Sequence, residues 1–151
     1  MSSENKLLVY AATIFARVAL GTAFLSAVAD RFGLWGPVGT NNVFWGNFEN
    51  YTDYVRVLAP YLPAVLLDPT AWAATAVEIV LGFALLLGVT VRWAAFASAA
   101  TLIVFGGSMS FFSGFETPLS ASVFSAAAAA LLLALTPDGS HIFRLDRLWT
   151  R

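Results

Sequence analysis

The chain has no cysteine and a single histidine, His141. Without thiols there is no disulfide scaffold, no thiolate metal site, no CxxC redox pair and no cysteine nucleophile. One imidazole cannot build a bis-histidine haem or a zinc centre unaided, so neither a metal site nor a covalently held cofactor is expected. If the protein takes part in redox chemistry, the electrons travel on a bound small molecule or on a partner protein. Charge is also scarce: charged residues make up 11% of the 151, with a net charge of −1. That balance leaves no electrostatic footprint for nucleic acid.

Apolar residues fill the space. They make up 59% of the chain, against roughly 45–50% in soluble domains. A domain of this size cannot hide so much apolar surface from water. The surface must face lipid or a very large partner, and lipid is the reading taken. Four segments stand out: Leu7–Phe32, Pro69–Val91, Trp93–Phe112 and Pro118–Thr136. Each is near the ~20 residues that a ~30 Å hydrocarbon slab requires, and in lipid runs of that length satisfy their own backbone only as helices. Asp68 is placed to cap the second segment and Pro69 to open it. The expectation is one all-α domain, a transmembrane four-helix bundle. Lys6, the run that follows and Ala27-Val28-Ala29 faintly suggest a cleavable leader. Arg17 interrupts that run and its length exceeds an h-region, so the first segment is read as a retained helix.

Four crossings place both termini and the turn after segment two on one side. That side collects Lys6, Arg92, Arg144, Arg147 and Arg151, whereas the other holds Arg31 and Arg56. The positive-inside rule then puts both termini in the cytoplasm. Trp72 and Trp93 fall at the expected interfaces. The outer connection, residues 33–67, is rich in aromatics and turn formers. Within it Phe48, Tyr51, Val55 and Leu58 recur at three- and four-residue spacing, which predicts a short amphipathic helix ended by Pro60 and Pro63. It is read either as a cap on the membrane surface or as a lid over a cavity. The tail, residues 138–151, alternates apolar side chains with arginines, as in an interfacial anchor or a docking segment for a soluble partner. Small residues from Ala126 to Ala130 favour close packing of segment four.

Arg17 and Glu78 lie deep in the first and second segments. Each costs about 2.5–3.5 kcal/mol alone near the bilayer centre, so pairing between the two is expected. Gly21 and Gly82 each follow four residues later on the same face and would let the backbones meet. The pair either fixes helix register or lines a polar cavity that holds a ligand's oxygen atoms or moves a proton. Arg31 falls nearly on the face of Arg17; it is read either as an ordinary charged helix end at the water interface or as a gate to that cavity, with Trp35, Asn41 and Trp45 at its mouth. Asp30 is expected to point elsewhere. Ser98, Thr101 and Ser108 are expected to bond their own backbone. No nucleophile elbow, phosphate loop or paired carboxylate motif appears.

The run Arg17-Val18-Ala19-Leu20-Gly21, followed by Asp30-Arg31-Phe32-Gly33, resembles the first helix of the DoxX family. Glu78-Ile79-Val80-Leu81-Gly82, with Leu87-Gly88-Val89-Thr90-Val91-Arg92, resembles its second. The resemblance covers nearly the whole chain, although the family commonly carries lysine near the position of Arg31. It implies a bacterial inner-membrane protein grouped with oxidoreductases, similar to the small membrane subunits of thiosulfate:quinone oxidoreductase. A quinone or lipid ligand and a redox partner protein follow from that likeness. A non-catalytic scaffold and a small transporter or lipid-handling protein stand as alternatives, and a homo-oligomer is compatible with each.

Overall fold

The computed structural model describes residues 3–40 and 42–137, and all its regular elements are helices. In chain order they are α1 (Ser3–Arg31), α2 (Phe48–Leu58), α3 (Ala64–Leu87), α4 (Val91–Phe112), α5 (Glu116–Ser120) and α6 (Val123–Leu135). Three of them, α1, α3 and α4, are long and apolar enough to cross a membrane. The tail that sequence reading treats as an anchor lies outside the described residues.

Two antiparallel pairings organise the fold, α1 with α3 and α4 with α6. One core joins them, formed by Leu20 and Phe24, Leu81 and Leu85, Ala95 and Ala99, and Ala130 and Leu133. Ala127, Ala130 and Ala134 are buried on α6, so small side chains bring it close to its neighbours. Phe15, Val80, Phe83, Trp93, Val104 and Leu132 point outward and are exposed. Such a belt would be costly in water and is the natural outer surface of a protein in lipid.

Several boundaries depart from the sequence expectation: α1 starts at Ser3, α3 ends at Leu87 and α4 opens at Val91, and two further departures shape the fold. Helix α3 starts at Ala64 after Pro63, so Pro69 lies within its second turn and Asp68 is not its cap. A proline there removes one backbone hydrogen bond near an end whose first amides have no helical partner anyway. Packing outweighs that loss: Leu67 on the added stretch, together with Ala71 beyond it, buries against Tyr51 and Val55 of α2. The last apolar segment is not one helix. It breaks between α5 and α6, where Ser122 takes the left-handed conformation with φ 56°. The break re-aims the chain so that the Phe124 ring lies against Gly106 of α4, where an added Cβ would come within 2.8 Å of it.

Candidate functional site

The Arg17–Glu78 pair expected from sequence does not form. Glu78 is held by Arg31 instead, whose Nη2 donates to Oε1 at 2.7 Å and Oε2 at 2.8 Å. Arg17 donates through Nε to the Leu85 carbonyl at 2.9 Å and through Nη2 to that of Leu86 at 3.3 Å. These are last-turn carbonyls of α3, where unpaired oxygens and the helix dipole both favour a cation. The cause is antiparallel register. Gly21 and Gly82 meet closely, as an added Cβ on Gly21 would stand 2.9 Å from the Gly82 carbonyl oxygen. Stepping back four residues from each glycine moves in opposite directions, which separates Arg17 from Glu78 by about 12 Å along the axes.

Arg31 occupies the last position of α1 and is only 2% exposed; Glu78 is 1% exposed. The guanidinium also donates through Nη1 to Thr75 Oγ1 at 2.9 Å, and the Thr75 hydroxyl donates a hydrogen bond to the Ala71 carbonyl at 2.8 Å. Its carbon lies 3.8 Å from the Tyr51 ring centre and 5.2 Å from that of Trp45. A delocalised cation on a π face gains attraction that a desolvated site strengthens. Burial pushes the Tyr51 phenol up to about 12; Arg31 opposes that shift and Glu78 adds to it. Tyr51 is therefore a neutral ring at physiological pH. Arg31 Nε is buried and makes no hydrogen bond.

Asp30 builds the roof. Sequence reading turned it away from the site, but it is buried and its carboxylate accepts three successive loop amides. Phe44 and Trp45 donate to Oδ2 at 2.9 and 3.2 Å, and Gly46 donates to Oδ1 at 3.1 Å. Gly46 has φ 63°, and an added Cβ would reach within 2.7 Å of the Val38 amide, so the turn requires glycine. A carboxylate in the last turn of a helix faces the wrong end of the dipole, and the amides offset that penalty. The clamp sets Trp45 edge-on to Tyr51, with ring centres 5.2 Å apart. Trp35 is not in the site: it is exposed and donates its indole N–H back to the Ser26 carbonyl at 3.0 Å. The turn through Gly33 and Gly36, both at positive φ, folds it onto α1. Asn41 lies outside the described residues. Ser98 and Thr101 bond the Ala94 and Ala97 carbonyls.

Two cavities of about 200 Å³ each adjoin Arg31. One is lined by Tyr51, Tyr54, Leu62, Ala74 and Ser108, and the other by Leu20, Phe24, Glu78 and Leu102. Trp45 lines both. The lining is largely apolar, with few polar groups converging at Arg31, the usual composition of a small-molecule site. The arrangement offers one buried N–H donor beside an ion pair of no net charge.

The DoxX family model matches residues 12–107, more than half of the chain. The chain belongs to the DoxX family. No curated protein and no solved structure matches it. Together with three helices fit to cross a bilayer, the family makes this a DoxX membrane protein. Arg31, Trp45, Tyr51, Thr75 and Glu78 all fall within the matched region of the DoxX chain, and α5 and α6 lie beyond it.

Asp30→Ala in this DoxX protein tests the roof. Three amides lose their acceptor, at an expected cost of about 1–3 kcal/mol for each donor left dry and less where water enters. Trp45 should become accessible to acrylamide, read as steeper fluorescence quenching than in the parent. Unchanged quenching would mean that the loop holds its place without Asp30.

Proposed function

We propose that this DoxX protein binds the planar, carbonyl-bearing head of a quinone at Arg31, as a membrane subunit serving a redox system. In this reading it lies in the bacterial inner membrane with both termini cytoplasmic. Helices α1, α3 and α4 make three crossings and the α5–α6 pair makes the fourth. The site then lies towards the outer side, under the α2 connection.

One observation carries the proposal: Arg31, already neutralised by Glu78, lines two largely apolar cavities, and its buried Nε makes no hydrogen bond. A buried donor without a partner costs free energy, and a ligand oxygen would relieve that cost. The head should be neutral. An anionic lipid head would meet the Glu78 carboxylate, while the compensating charge of Arg31 is already engaged. A flat ring also suits the aromatic faces of Trp45 and Tyr51. A transport route gains no support, because buried Leu20, Phe24, Leu81 and Leu85 form an apolar layer between the Arg31 and Arg17 ends.

The test is a titration of the purified protein with a chainless dimethoxy-methyl-benzoquinone, read by quenching of tryptophan fluorescence. Trp45→Phe should remove the saturable component. Ser108→Phe fills the cavity without touching the ion pair, and should weaken binding by about tenfold or more while the melting temperature holds. Quenching that stays the same in both variants would locate any binding elsewhere.

A further inference from the structure

The two cavities beside Arg31 share walls with a larger neighbour. A third void of about 880 Å³ runs between α2, the end of α4 and the α5–α6 junction. Trp45, Tyr54 and Met109 line both it and the Tyr51 cavity. Trp45, Ala121 and Val123 line both it and the Glu78 cavity. Trp45 therefore stands where all three meet. The large void is as roomy as a whole small-molecule pocket, about 300–1,000 Å³, yet its walls are mostly apolar and it contains no buried ion pair. A compact polar head has no use for it.

The helix break explains why the void exists. At Ser122 the chain turns through φ 56°, and the small side chain of Ala121 forms the wall at the gap. A continuous helix would carry side chains across this opening. Helix α6 has 13 residues, about 20 Å of length, and so leaves the space above it to the short α5. From α5, Thr117 and Ser120 line the void, opposite Asn50, Asp53 and Val57 of α2, while Phe115 and Leu119 on the same stretch of chain are exposed. Those exposed apolar side chains suit a flank that meets acyl chains.

We propose that the occupant of the Arg31 site carries a long hydrocarbon chain, which passes beneath Trp45 through the large void and leaves sideways into the lipid at the α5–α6 break. The substrate class is thus a chain-bearing neutral carbonyl compound, taken up laterally from the bilayer. The inference rests on the reading of Arg31 as a ligand site. It adds that most affinity comes from the chain and that the broken helix is its door. The shared walls support one occupant: a single molecule would fill adjoining spaces, polar at Arg31 and largely apolar beyond.

The experiment compares the chainless benzoquinone with its decyl derivative on the whole protein in nanodiscs, by Trp45 quenching. Ser120→Trp and Val57→Trp block the large void from opposite walls, and neither residue lines the Arg31 cavities. The parent should prefer the decyl compound by about tenfold or more. Each variant should lose most of that preference and bind the chainless compound as the parent does. Because both proteins face the same bilayer, partitioning of the decyl chain cancels in the comparison. A preference untouched in both variants, or affinity lost equally for both compounds, overturns the chain path while leaving the head site standing. If neither compound binds the parent, the head site itself fails and the chain path fails with it. Two variants guard against one that does not fold.

Discussion

Arg31→Gln should destabilise this protein by about 3–5 kcal/mol, because it leaves the Glu78 carboxylate buried without its cation. Both Glu78 oxygens accept from one Arg31 nitrogen, at 2.7 and 2.8 Å, and the Glu78 side chain is almost wholly buried. Glu78→Gln should be the milder change, since Arg31 keeps its Thr75 contact and its place over Tyr51. The double variant should be more stable than the sum of the two losses predicts, by about 1–3 kcal/mol, as expected of residues acting as one unit. Chemical or thermal unfolding in matched detergent gives these values. Strict additivity would show that the ion pair contributes no coupling.

The second large effect should come from Gly21. A side chain there would place Cβ 2.7 Å from Leu86 Cγ and 2.9 Å from the Gly82 carbonyl oxygen. The leucine can rotate, but the carbonyl belongs to the α3 backbone and cannot move without the helix. Gly21→Val should therefore cost about 1–3 kcal/mol through overpacking and force α1 away from α3. Gly82→Ala meets mainly Leu25 side-chain atoms, at 2.8 and 2.9 Å, so it should be better tolerated. The damage from Gly21→Val should also reach the site, because Arg31 finds Thr75 and Glu78 only in this register. Saturable quinone quenching should fall together with the melting temperature. A valine variant as stable as the parent would mean that α1 and α3 do not meet at these glycines.

Much of this was legible in the residues. Long apolar runs with few charges mark membrane helices, and the spacing of Phe48, Tyr51, Val55 and Leu58 marks the face on which α2 buries Tyr51 and Val55. Arg17, Arg31 and Glu78, the ionisable residues that stand out inside those runs, are all buried. Their partners were not legible from composition, because pairing depends on where two antiparallel helices cross. The glycines held that information: with Gly21 opposite Gly82, Arg17 falls beside the end of α3, and only Arg31 lies on the Glu78 side of the crossing. Asp30 also carried a signal, since a carboxylate in the last turn of a helix is misplaced against the dipole and must find donors elsewhere. The added turns of α3 and the break at Ser122 had no such local mark. Both follow from tertiary contacts, Leu67 against α2 and Phe124 against Gly106.

The most direct measurement is photolabelling of the membrane-embedded protein with an azido-substituted decyl quinone, followed by peptide mapping. Adducts should concentrate on Trp45–Tyr54 and around Met109, and excess unlabelled quinone should abolish them. Adducts clustered near Arg17 instead, or labelling that competitor leaves untouched, would contradict a quinone head resting against Arg31.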